Sequence, residues 1–267
     1  MTSLSLSKAW DETKAIVARD GQLFASVALG LVVLPQTIIG VFAPRSNAIT
    51  PAIWVFLAIS VVFGFVAQVS LNRLAIGPST SVGSAIRRGF VRMPVLVGSF
   101  AILVIALVIL LIVIGMILGA VGLMAPPSAG QPPPLRIVAI LVLLTAAAYA
   151  VFQLTVPAAA VEDGGSIRLI VRSWELARGQ YLQLLAFVAL VLTGLLTVFL
   201  AGQFVFGSLI ALVLGPPETG SLSALVISFV AAVIQSVFTV IFGVMLARIY
   251  VQLSGRGSGP GVPKSGT

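Results

Sequence analysis

Residues 95–124 read VLVGSFAILVIALVILLIVIGMILGAVGLM, a stretch without a single charged side chain. A bilayer core is crossed by about 20 apolar residues at about 1.5 Å of helical rise each, so this stretch spans it with length to spare and has to tilt, bend or extend beyond the hydrocarbon. It is one of six. Charge-free runs occupy 21–44, 46–72, 93–135, 137–161, 179–217 and 219–247. They come as three pairs, each preceded by a short segment that carries most of the local charge. The predicted spans are Gln22–Phe42, Pro51–Leu74, Val95–Met124, Leu135–Thr155, Tyr181–Leu214 and Leu222–Leu253.

Composition gives the same class. The chain is 59% hydrophobic and 8% charged, with mean hydropathy +1.19, where soluble domains carry about a quarter charged residues. Lys8, Asp11, Glu12, Lys14, Arg19 and Asp20 precede the first apolar run, which is not the order of a signal peptide, so that run is expected to remain as a membrane helix. Cysteine and histidine are both absent. Their absence removes disulfides, thiolate and imidazole chemistry and the usual zinc, copper and haem ligands from this chain; no cofactor and no metal are expected. The net charge of +8 lies beside the spans rather than on a basic domain. Anionic headgroups, worth about 1 kcal/mol per basic residue near the surface, are therefore the expected partners, and nucleic acid is not.

The turns within pairs, Ala43–Thr50, Ala125–Pro134 and Gly215–Ser221, are short and rich in Pro and Gly. Placing them on one side puts only Arg45 and Arg136 there and leaves 13 of the 15 Lys and Arg on the other. By the positive-inside rule both termini are expected in the cytoplasm. Residues 1–253 then form one polytopic domain, followed by a Gly, Ser and Pro tail over 254–267 that is expected to be disordered. Pro35 is expected to kink the first span, and Gly194, Gly202 and Gln203 are bend points in the fifth.

The charged segments share a pattern. Ser166 is placed to cap a helix with Ile167, Ile170, Val171, Trp174 and Ala177 on one face and Arg168, Arg172 and Glu175 on another, stopped by Gly179. The middle segment sets Val82, Ile86, Phe90 and Met93 against Arg87, Arg88 and Arg92, followed by Pro94. The first sets Trp10, Thr13, Ile16 and Val17 against Asp11, Glu12, Lys14 and Arg19, ending at Gly21. Each is a short amphipathic helix suited to the interface plane. Together with the similarity of Ala18–Gln22 to Ala177–Gln180, this predicts an all-α membrane fold of three repeats, each an interfacial helix plus a transmembrane hairpin, over about 7–75, 80–157 and 162–253.

One stretch is more specific. Val156–Gln180, VPAAAVEDGGSIRLIVRSWELARGQ, and the earlier Gly83–Phe90, GSAIRRGF, resemble the bacterial glycerophosphoryl diester phosphodiesterase membrane-domain family. That resemblance implies a bacterial inner-membrane module. In the family the name comes from a fused soluble domain whose catalysis relies on histidines and a metal; this chain has no His, so the activity does not carry over.

Arg87, Arg88, Arg92, Arg168, Arg172 and Arg178 form the expected cytoplasmic belt for lipid phosphates, since a guanidinium bonds phosphate in bidentate fashion. Glu162 and Asp163 are paired carboxylates with an acid/base or metal reading, weighed below helix capping or pairing with arginine. Gln36, Gln68, Asn72, Gln153, Gln203 and Gln235 are read first as interhelical hydrogen bonds. Gly115, Gly119 and Gly122 suit close helix contact within the chain or between copies. The expected function is a non-catalytic membrane module that organises or senses lipid, or supports a partner protein. Its rivals are a carrier or channel, which requires a cavity lined by Gln36, Gln153 and Gln235, and a lipid-modifying enzyme.

Overall fold

The computed structural model describes residues 4–42, 51–77, 81–120 and 135–255, and all regular elements within them are helical. They are α1 (Leu6–Ala28), a π-helical turn (Leu29–Val33), α2 (Leu34–Phe42), α3 (Pro51–Ile76), α4 (Val82–Ala120), α5 (Leu135–Val161), α6 (Ser166–Ala177), α7 (Tyr181–Leu214) and α8 (Leu222–Leu253). Six of these units are long and apolar enough to cross a membrane, α1 and α2 with the turn between them counting as one. The predicted all-α, six-helix architecture is present. The turns at 43–50 and 125–134, with Arg45 and Gly122, and the tail beyond 255 lie outside the described residues.

At Pro35 the first span departs from regular α-helix. Lacking an N–H, the proline cannot serve the carbonyl of Leu31, and the chain widens just before it into a π turn in which Leu34 N–H donates to Leu29 O, five residues back. In the fifth span α7 is one continuous helix through Gly194, Gly202 and Gln203.

Of the three charged segments, only the third is a separate short helix. In the first, α1 bends at Asp20 (φ −113°, ψ 18°), one residue before Gly21, and continues into the span. In the second, α4 carries amphipathic segment and span in one helix straight through Pro94. Gly179 does end the third, with φ +96°. Ser166 does not cap α6; the N-cap is Gly165. The Ser166 hydroxyl instead donates to Val95 O at 2.8 Å. Gly98 makes room for it, since a Cβ there would stand 2.7 Å from Ser166 Oγ.

Each segment buries a face of mostly small residues, of which the two-faced reading includes only Thr13 and Ala177. Ala9 and Thr13 in α1, Ala85 and Gly89 in α4, and Leu169, Ser173 and Ala177 in α6 are buried against other helices. The bulky Trp10, Phe90 and Trp174 point outward, 43%, 48% and 59% exposed. Lipid tails are as apolar as a protein core, so large side chains gain little by turning inward, whereas small ones let backbones approach. A triplet of basic, small and aromatic residues marks all three: Lys8-Ala9-Trp10, Arg88-Gly89-Phe90 and Arg172-Ser173-Trp174.

α3 and α8 form the centre. α1, α2 and α7 pack on α8, α4 packs on α3, and α5 touches both central helices and α4. In the third span, Gly115 and Gly119 approach nothing within 4 Å, so their close contacts are not made within the described chain.

Candidate functional site

The charged segments converge on one end of the bundle. There the C-terminus of α5 exposes carbonyl groups with no helical partner, as every helix end does. Three arginines from α3 and α4 reach the carbonyls there and in the linker that follows: Arg73 Nη1 lies 3.4 Å from Ala160 O, Arg88 Nη2 3.3 Å from Glu162 O just past the helix, and Arg92 Nη1 3.1 Å from Gly164 O in the linker to α6. Cations at a helix C-terminus also complement its dipole. Asp163 Oδ1 completes the arrangement, pairing with Arg88 at 2.9 Å and with Arg92.

Glu162 faces the other way. It accepts a hydrogen bond from Tyr250 Oη of α8 at 2.5 Å and lies 3.6 Å from Arg172 Nε, while Arg172 Nη1 lies 3.6 Å from Glu175. Thr155 and Ser173 hydroxyls, 3.0 Å apart, join α5 to α6. Across the bundle Glu12 of α1 receives Arg248 Nε at 2.6 Å. The two residues ahead of α1 are held by side-chain carbonyls of Gln180 and Gln252, which accept from Leu4 N–H at 2.7 Å and Ser5 N–H at 3.2 Å.

The expected arginine belt therefore divides. Arg88, Arg92 and Arg172 are occupied inside the protein, and Arg92 keeps only 11% of its side chain exposed. Arg87, Arg168 and Arg178 are exposed and form no ion pair with any described residue. Glu162 and Asp163 pair with arginine, while neither caps α6. Arg73 was not among the expected belt residues: its acceptor is 87 residues away, and nothing local in the sequence announces it.

Replacing Tyr250 by Phe tests the α8 side of this cluster. The hydroxyl is fully buried and bonds a carboxylate, but Arg172 still faces Glu162, so the loss should be about 1 kcal/mol. A fall of about 2–4 °C in the melting midpoint of the purified protein is expected.

The glutamines do not behave as a set of interhelical bonds. Gln36, Gln68, Gln153 and Gln235 line one cavity, while Gln203 lies apart from it and Asn72 Nδ2 donates to Gln68 O within α3 at 2.8 Å.

Residues 4–253, covering all the described helices but for the turn that follows α8, match the family described as Domain of unknown function (DUF7847). The chain belongs to the DUF7847 family. No curated protein and no solved structure matches it. In this DUF7847 member the family match ends at Leu253, the last residue of α8, so the arginine and carboxylate cluster lies wholly within the family's extent.

Proposed function

We propose that the protein is a non-catalytic membrane module whose charged end holds anionic lipid headgroups at the cytoplasmic face of a bacterial inner membrane. One observation carries this reading. Arg87, Arg168 and Arg178 are exposed, and unpaired among the described residues, at the end of the bundle where Phe90, Ile167 and Trp174 also point outward. Aromatic and aliphatic groups beside free guanidinium groups suit the headgroup level, where the ring enters the interface and the cation meets phosphate. The orientation rests on the 13 to 2 division of Lys and Arg. Engagement of Glu162 and Asp163 by arginine favours a structural role for both over acid/base chemistry.

The test is native mass spectrometry of the purified protein with phosphatidylglycerol against phosphatidylcholine. At about 1 kcal/mol per basic residue, the triple variant Arg87→Gln, Arg168→Gln, Arg178→Gln should bind phosphatidylglycerol roughly a hundredfold more weakly. Phosphatidylcholine adducts should not change. Equal phosphatidylglycerol adducts on wild type and variant would remove the reading.

A further inference from the structure

A cavity of about 330 Å³ lies in the apolar part of the bundle, ringed by α2, α3, α5 and α8, each packed on the next. Its wall is largely hydrophobic and includes the rings of Phe65, Phe100 and Phe152, whose centroids lie 5.6–6.1 Å apart. Into this wall four helices place amides: Gln36, Gln68, Gln153 and Gln235. Gln153 stands nine residues, about 13 Å of helix, before Glu162, and Gln235 stands thirteen, about 20 Å, before Arg248. Gln153 and Gln235 therefore lie within the hydrocarbon zone, while Gln68, five residues before Arg73, is nearer the charged end.

Gln153 is the informative one. Its side chain is 4% exposed, and its Nε2 has no hydrogen-bond partner. The Tyr149 phenol, one helical turn away on the same face, feels the amide but does not accept a bond of normal geometry from it. Gln36, Gln68 and Gln235 likewise spend no side-chain bond on any described residue. An unpaired buried amide costs about 1–3 kcal/mol, and interhelical polar groups in membranes normally find partners. Four that converge on one space without pairing are disposed toward something that enters it. Phe100 and Tyr149 on the lining are exposed, so the cavity communicates with its surroundings.

The lining fixes the chemistry of the occupant. No Asp, Glu, Lys or Arg contributes to it, which disfavours an ion at that depth. Amides offer both donors and acceptors, and the remaining wall is apolar. We propose that this cavity binds a neutral amphiphile, a molecule with a hydroxyl, ester or amide group for the glutamines and a hydrocarbon part for the phenylalanines. This site is separate from the headgroup surface, and neither reading requires the other.

The test uses 1-monooctanoylglycerol as the neutral amphiphile and octyl phosphate as its charged counterpart, titrated against the full chain in nanodiscs and followed by native mass spectrometry. Two variants report on the cavity. Gln153→Leu removes the unpaired amide, and because it exchanges an unsatisfied polar group for an apolar one it should not unfold the protein. Gly64→Leu fills the space, since a Cβ built on Gly64 meets nothing within 4 Å and the residue lines the cavity. Saturable binding of the monoacylglycerol that is about tenfold weaker in Gln153→Leu and abolished in Gly64→Leu, with no saturable octyl phosphate binding, is the expected result. Binding unaffected by both variants, binding equal for octyl phosphate, or no saturable binding to wild type would each overturn the proposal.

Discussion

Asp163→Ala should lower the melting midpoint of the purified protein by about 4–8 °C, equivalent to about 2 kcal/mol at this chain length. The carboxylate is the one anion shared by Arg88 and Arg92. Removing it leaves two neighbouring cations, one with 24% and the other with 11% of its side chain exposed, at the margin of an apolar layer. Breaking a fully buried pair costs about 3–5 kcal/mol. Here the figure is reduced, because the Asp163 side chain is itself 81% exposed and water screens part of the interaction. Both arginines also keep their carbonyl acceptors, Glu162 and Gly164, between α5 and α6. Arg92→Met should be less damaging than Asp163→Ala, since it removes a buried charge and leaves behind a carboxylate that water can solvate. A double-mutant cycle between the two positions should show coupling of about 1 kcal/mol. A midpoint for Asp163→Ala within a degree of wild type would mean that the cluster is solvated surface rather than a lock.

How far the sequence reveals this arrangement depends on the range of the interaction. The six spans rest on length and charge alone, properties of single segments, and they are legible without tertiary information. Gly179 is legible for the same reason: a stop after an amphipathic helix is a local event, and its φ of +96° is one that glycine tolerates. Ser166 illustrates the limit. A serine at the start of a helix reads as a cap, yet Gly98, far away in sequence on α4, opens the slot that takes its hydroxyl. The arginines divide in the same way. Arg87 and Arg88 are adjacent and chemically identical, but a step of about 100° around α4 turns one toward solvent and the other toward Asp163. The glutamines were legible as a set, because polar residues are conspicuous in apolar runs. Their convergence on one cavity depends on how four helices pack, which no single segment encodes.

Gly89→Val should be the most damaging single change at the charged end, at about 3 kcal/mol, or a midpoint lowered by about 6–12 °C. A Cβ on Gly89 would stand 2.8 Å from Val66 O, 2.9 Å from Ser70 Oγ and 3.0 Å from Val66 Cγ1. Two of these obstacles can rotate, but the carbonyl belongs to the backbone of α3, so relief requires the helices to separate. Separation would also pull Ser70 Oγ away from Ala85 O, now 3.3 Å distant, and would loosen the layer of Val66, Ala67, Leu71 and Ala85. Arg88 and Arg92 flank Gly89 on the same helix, so displacement of α4 carries both away from the end of α5. Gly83→Ala is the control. It lies six residues earlier in the same GSAIRRGF stretch, meets nothing within 4 Å, and should be neutral or gain up to about 1 kcal/mol from the better helix former. The two glycines are indistinguishable by composition or local pattern, so opposite responses would locate the α3–α4 contact at Gly89, whereas similar responses to both changes would show that α4 does not approach α3 there.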